Sequence, residues 1–164
     1  MKTLLTLILC CTAIIAHCQQ PPEGYFTAPA FSISGDFDGD GNQDTLNQFI
    51  TDSLGNTVQY MKEIDTETWD EYVYTFATYG YMTGIALAEK EDNLLSFNRA
   101  QGVYCLANVG NINHTKGDEI AIIPDFVDQS RHSYCYIYAL CNGTWQQVFN
   151  FSVHEDAFDD FNGS

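Results

Sequence analysis

The chain has 164 residues, one domain's worth, with 22 acidic residues against six basic ones and a formal net charge of −16. A surface this acidic repels nucleic acid and anionic lipid and invites cations. No window beyond residue 18 is long and apolar enough for a membrane helix.

Residues 1–18 have the form of a secretory signal peptide. A short positive start at Met1-Lys2 precedes an apolar run from Leu4 to Ile15, and Ala16 and Cys18 supply small residues at the two positions a signal peptidase reads. The expected mature chain begins near Gln19 and is exported, periplasmic or extracellular. Lipidation of Cys18 is the rival expectation, and His17 stands where that modification wants a small residue. Loss of Lys2 leaves five basic residues against 22 acidic ones, a net charge of −17.

A polar lead-in covers residues 19–27, and a single β domain is expected over residues 28–160. "FSISG" precedes an acidic loop. "TLNQFITD" and "TVQYMKEI" then flank Ser53 to Asn56 as a hairpin. Glu63 to Glu71 is the best candidate for a helical turn, and "EYVYTFATYGYM" and "TGIALAE" read as two further strands. In "YCYIYALCNGTWQQVFNF", Asn142-Gly143 is the strongest two-residue turn signal, because both positions need positive φ. That turn pairs Leu140 with Trp145, Tyr138 with Gln147, Tyr136 with Phe149 and Tyr134 with Phe151. One face of the ribbon is then nearly all aromatic, and the other carries Cys135, Ile137, Ala139, Cys141 and Val148. A ribbon apolar on both faces is expected inside a sheet packed on two sides; the alternative is an aromatic platform for sugars.

The mature chain keeps Cys105, Cys135 and Cys141, an odd count. Cys135 and Cys141 are six residues apart on one strand, roughly 20 Å, too far for a disulfide, which needs Cα atoms within about 7 Å. Cys105 must therefore be a partner in any intrachain bond.

The acidic loop, "GDFDGDGNQDT", places four aspartates within nine residues. Asp36, Asp38 and Asp40 alternate, Gly41 permits a sharp turn, and Asp44 closes the set as D-x-D-x-D-G-x-x-D. Calcium takes six to eight oxygen ligands, many of them carboxylate. The expected ligands are Asp36, Asp38, Asp40 and Asp44 through their side chains and Asn42 through its backbone carbonyl. A bound cation makes four close carboxylates tolerable. The loop is not a full EF-hand, because Asn47 occupies the twelfth position and the flanks read as strands. It resembles the calcium loops of FG-GAP and VCBS repeats, which build integrin α-subunit propellers and many bacterial surface proteins.

A fainter copy lies 75 residues on, in "GNINHTKGDEIAI". Gly110 falls on Gly35, Asn111 on Asp36, Ile112 on Phe37, Asn113 on Asp38, Thr115 on Asp40 and Glu119 on Asp44, while Lys116 stands where Gly41 stood. Residues 35–46 and 110–121 thus form two repeat-like loops. The second keeps the frame with one carboxylate, a weak or lost site expected to stay metal-free. With "EIAIIPDF", the tyrosine-rich strand, "NGTW" and "FSVHEDAF", the chain is similar from Ala30 to Phe158 to small exported bacterial VCBS-like proteins of unknown function. That resemblance implies a fold and a calcium site, and no catalytic residues.

No catalytic motif is present. His154-Glu155-Asp156 is the only histidine beside carboxylates, and it lacks the further ligands of a zinc hydrolase. A pairing of Cys105 with His154 could arise only in space, and the apolar run "GVYCLA" makes Cys105 a buried, inert thiol. The expected fold is all-β, compact antiparallel sheets of propeller-blade or sandwich type, too small for a closed propeller. The expected function is an exported calcium-binding module with a protein or carbohydrate ligand; the alternative is a small secreted hydrolase whose site the sequence does not reveal.

Overall fold

The structure, a computed structural model, describes residues 20–88, 90–128, 130 and 132–154. The signal-like segment, Glu155 and Asp156 lie outside the described residues. The chain runs β1 (Tyr25–Thr27), β2 (Phe31–Gly35), β3 (Asp44–Thr51), β4 (Tyr60–Lys62), α1 (Trp69–Tyr79), β5 (Met82–Leu87), β6 (Lys90–Asn98), β7 (Ala100–Gly110), β8 (Glu119–Phe126), β9 (His132–Cys141) and β10 (Thr144–His154).

Two antiparallel four-stranded sheets, ordered β2-β3-β5-β6 and β7-β8-β9-β10, make up most of it, and β1 pairs with β4 in a small third sheet. Each large sheet places one of the two repeat-like loops between its first and second strands. Neither sheet closes on itself. β3 and β9 alternate with the period of two that a half-buried strand requires, whereas β8 is buried on both faces. Leu46, Ile85 and Phe97 from one sheet meet Leu106, Ile120, Ile122 and Leu140 from the other in one shared core. Residues of the opposite parity, Ala121, Ile123, Cys135 and Ile137, form a second apolar cluster on the far face of the second sheet.

The segment read as the strand "EYVYTFATYGYM" is instead largely helix α1. Its aromatic and β-branched residues carry strand propensity, but Tyr72, Val73 and Phe76 recur at helical spacing. They pack with Ala28, Ile50, Met61 and Val127. Thr68 caps the N-terminus by accepting from the Glu71 amide at 3.3 Å, and Asp70 and Glu71 complement the positive end. Gly80 ends the helix in the left-handed conformation, φ 63°.

The expected hairpin after β3 forms only at its turn. The Asp52 carboxylate accepts from the amides of Leu54 and Asn56 at 2.8 and 2.9 Å, and the Asn56 side chain, followed by these amides, holds its carboxyl below its ordinary pKa. After a single bridge, Thr51 to Thr57, the chain leaves β3. β4 pairs instead with β1, which is drawn from the lead-in.

Asn142 and Gly143 form the expected turn, φ 51° and 77°. Leu140 faces Trp145 and Tyr138 faces Gln147, as the turn dictates. Beyond Gln147 a bulge at Val148 shifts the register by one, so Phe149 faces Ile137, Phe151 faces Cys135 and Tyr136 faces Asn150. Nor is the ribbon internal: β10 is an edge strand, and Phe149 and Phe151 are 61% and 47% exposed. Edge strands tolerate bulges because only one neighbour must be matched.

Among the described residues, Cys105, Cys135 and Cys141 are free thiols. Cys105 pairs in register with Ile123, whose neighbour across β9 is Cys135 by continuation of the Ile122 to Tyr136 pairing. Two strand spacings separate the two sulfur-bearing residues, about 9.6 Å, beyond disulfide reach. Burial raises the pKa of both thiols, with Cys105 adding to the shift at Cys135, which keeps them from the reactive thiolate form. Cys105 and His154 stand on opposite edge strands and do not meet.

Candidate metal centre

The acidic loop joins the end of β2 to the start of β3. Phe37, fully buried in the shared core, pins it from below. Gly39 and Gly41 take φ 70° and 90°, which turns the chain tightly enough to face alternate side chains inward. Carboxylate oxygens of Asp36, Asp38 and Asp40 lie within 4.8 Å of one another, the one such group of three among the described residues.

The loop's own amides shape it. Asp36 Oδ2 accepts from Gly41 N–H at 3.1 Å, Asp38 Oδ1 from Asp40 N–H at 3.1 Å, and Asp40 Oδ1 from Asn42 N–H at 2.7 Å. Asp44 closes the loop from β3, its Oδ2 accepting from the amides of Phe37 and Asp38 at 3.1 and 3.3 Å. Asp38, Asp40, Asn42 and Asp44 line one cleft of about 350 Å³. Asp36 Oδ1 is buried with no hydrogen-bond partner. A buried anionic oxygen left unpaired is costly, and a cation shared with Asp38 and Asp40 would remove that cost. The donor set, all oxygen and mostly carboxylate, fits calcium rather than a softer metal.

The second loop repeats the scaffold with different atoms. Glu119 Oε2 accepts from Ile112 N–H at 2.6 Å and Asn113 N–H at 3.4 Å, the same two positions that Asp44 binds in the first loop. Asn113 Oδ1 accepts from Thr115 N–H at 2.7 Å, as Asp38 does from Asp40. Asn111 donates instead to the Thr115 carbonyl at 2.6 Å. Glu119 is fully buried, and its Oε1 has no partner.

The two loops lie against each other, joined by residues the sequence did not single out. Asp118 N–H donates to the Asp36 carbonyl at 2.7 Å, and Asp118 Oδ2 accepts from Asp36 N–H at 3.2 Å. Asn108 Nδ2 donates to Asp118 Oδ2 at 2.9 Å and to the Ser34 carbonyl at 3.1 Å. A Cβ on Gly117 would meet the Phe37 carbonyl oxygen at 2.5 Å, so only glycine allows this approach. Lys116 and Asp38 line a cavity of about 480 Å³ between the loops and the Asn142-Gly143 turn. Nothing local marks Asp118 or Asn108 in the sequence, whereas Glu119 is marked by its seven-residue spacing from Ile112, equal to that of Asp44 from Phe37. Comparison with family models, curated proteins and solved structures finds no match, so the functional reading rests on this geometry.

Proposed function

We propose that the chain is an exported β domain of FG-GAP/VCBS type in which calcium at Asp36, Asp38, Asp40, Asp44 and the Asn42 carbonyl has a structural role. One observation carries this reading: the buried, unpartnered Asp36 Oδ1 beside two converging carboxylates. Bound calcium would neutralise the loop. Because Asp36 is bonded through its backbone to Asp118, the ion would also brace the joint between the two sheets.

The domain then acts as a binding or surface-associated module. Phe149, Phe151 and Val148 on the edge strand offer an exposed apolar surface for a protein or carbohydrate ligand. The raised pKa values of the Cys105 and Cys135 thiols weigh against a cysteine hydrolase. The test is calorimetric titration with calcium. One calcium per chain, lost in Asp36→Ala, is expected; absence of saturable binding overturns the proposal.

A further inference from the structure

A pair of imidazoles lies at the opposite end of the β9–β10 ribbon from the acidic loop. His132 opens β9 and His154 ends β10, and the two residues are cross-strand partners. The bulge at Val148 creates this pairing. Continued from the turn without it, the register would set His132 opposite Val153; the extra residue brings His154 across instead.

The pair is of the non-hydrogen-bonded kind. Ser130 Oγ accepts from His132 N–H at 3.1 Å and donates to its carbonyl at 3.0 Å, so the backbone polar groups of His132 face away from β10. In such pairs the Cα atoms approach to about 4.5 Å and the side chains stand closest. The imidazole centroids are 4.8 Å apart with the rings at 87°. A metal bonded to two imidazole nitrogens at about 2.0–2.1 Å lies about 3.2 Å from each centroid, which sets the centroids about 4.5 Å apart at a right angle and about 5.2 Å at a tetrahedral one. The observed separation falls between these limits. Both side chains are exposed to solvent.

We infer that His132 and His154 form a two-imidazole chelate for a late first-row divalent cation of the zinc class, with the remaining coordination positions open to water or an external ligand. Imidazole suits such ions, whereas the oxygen-lined acidic loop suits calcium. The ten residues of β9 separate the two sites by about 30 Å, so they fill independently.

The experiment is calorimetric titration of the full chain with Zn²⁺ in excess calcium. One zinc per chain is expected, with affinity lowered at least tenfold in His132→Ala and in His154→Ala and unchanged in His114→Ala and Asp38→Ala. In the unsubstituted protein, zinc should protect His132 and His154 from diethyl pyrocarbonate while His114 stays reactive. No saturable zinc binding, equal affinity in His132→Ala, loss of binding in Asp38→Ala, or protection that spares the pair would each overturn the inference.

Discussion

Asp38→Ala separates a metal loop from an acidic turn. The substitution removes one of three converging carboxylates and the acceptor for the Asp40 amide. Without metal, the lost exposed hydrogen bond is offset by relief of like-charge repulsion, so the melting temperature in chelator should change little. With metal the two proteins should diverge. Calcium that binds only the folded loop adds RT ln(1 + [Ca²⁺]/Kd), about 2.7 kcal/mol at a hundredfold excess over Kd. If the variant binds a hundredfold more weakly, the same calcium adds only about 0.4 kcal/mol. At about 3–5 °C per kcal/mol for a domain of this size, calcium should raise the wild-type melting temperature by about 8–13 °C and that of the variant by about 1–2 °C. Magnesium should do less, because it demands near-octahedral geometry and gives up its waters reluctantly. Asn113→Ala, in the second loop, should leave the calcium effect as it is. The assay is thermal unfolding followed by circular dichroism, in calcium, magnesium and chelator. A wild-type curve that chelator does not move, or an Asn113→Ala effect as large as that of Asp38→Ala, would refute the reasoning.

Asp118→Ala deprives the Asp36 amide and the Asn108 side chain of their shared acceptor, and should lower stability by about 1–3 kcal/mol and weaken calcium binding; an unchanged urea midpoint would mean that the loops are not coupled. Glu119→Ala leaves two loop amides without their acceptor and should cost more than about 2 kcal/mol, whereas Glu119→Gln keeps a carbonyl oxygen and should cost less than half as much in the same assay. Gly143→Val should destabilise by about 1–2 kcal/mol through φ alone, since the added Cβ meets Asn93 only at an ordinary 3.6 Å; an unaltered melting curve contradicts the assigned turn. Thr68→Ala should cost about 1 kcal/mol through loss of the helix cap, read as a drop in melting temperature that Thr68→Ser largely restores.

What the sequence made legible was local. The Asn142-Gly143 turn was readable because two adjacent residues determine it. The antiparallel β class followed from short runs bounded by Gly, Asn and Asp. Helix α1 was missed because its tyrosines and Phe76 weigh toward strand in composition, while the better signals, Thr68 three residues before Glu71 and the spacing of Tyr72, Val73 and Phe76, are matters of period. The bulge at Val148 was illegible for a different reason. When both faces of a strand are apolar, a one-residue slip moves few side chains from oil to water, so the pattern does not specify the register.

The candidate sites divide along the same line. Asp36, Asp38 and Asp40 converge because their spacing is fixed within one tight loop, and the Glu119 contact repeats that of Asp44 because the frame, rather than the ligands, is shared. Asp118 and Asn108 act on residues 82 and 74 positions away, across the meeting of the two sheets, and no spacing rule reaches that far. The histidine pair is the sharpest case. A symmetric hairpin drawn from the turn sets His154 out of line with His132, and only the bulge closes the gap. The feature that makes the ribbon's register hard to read from sequence is therefore the one that brings its two histidines together.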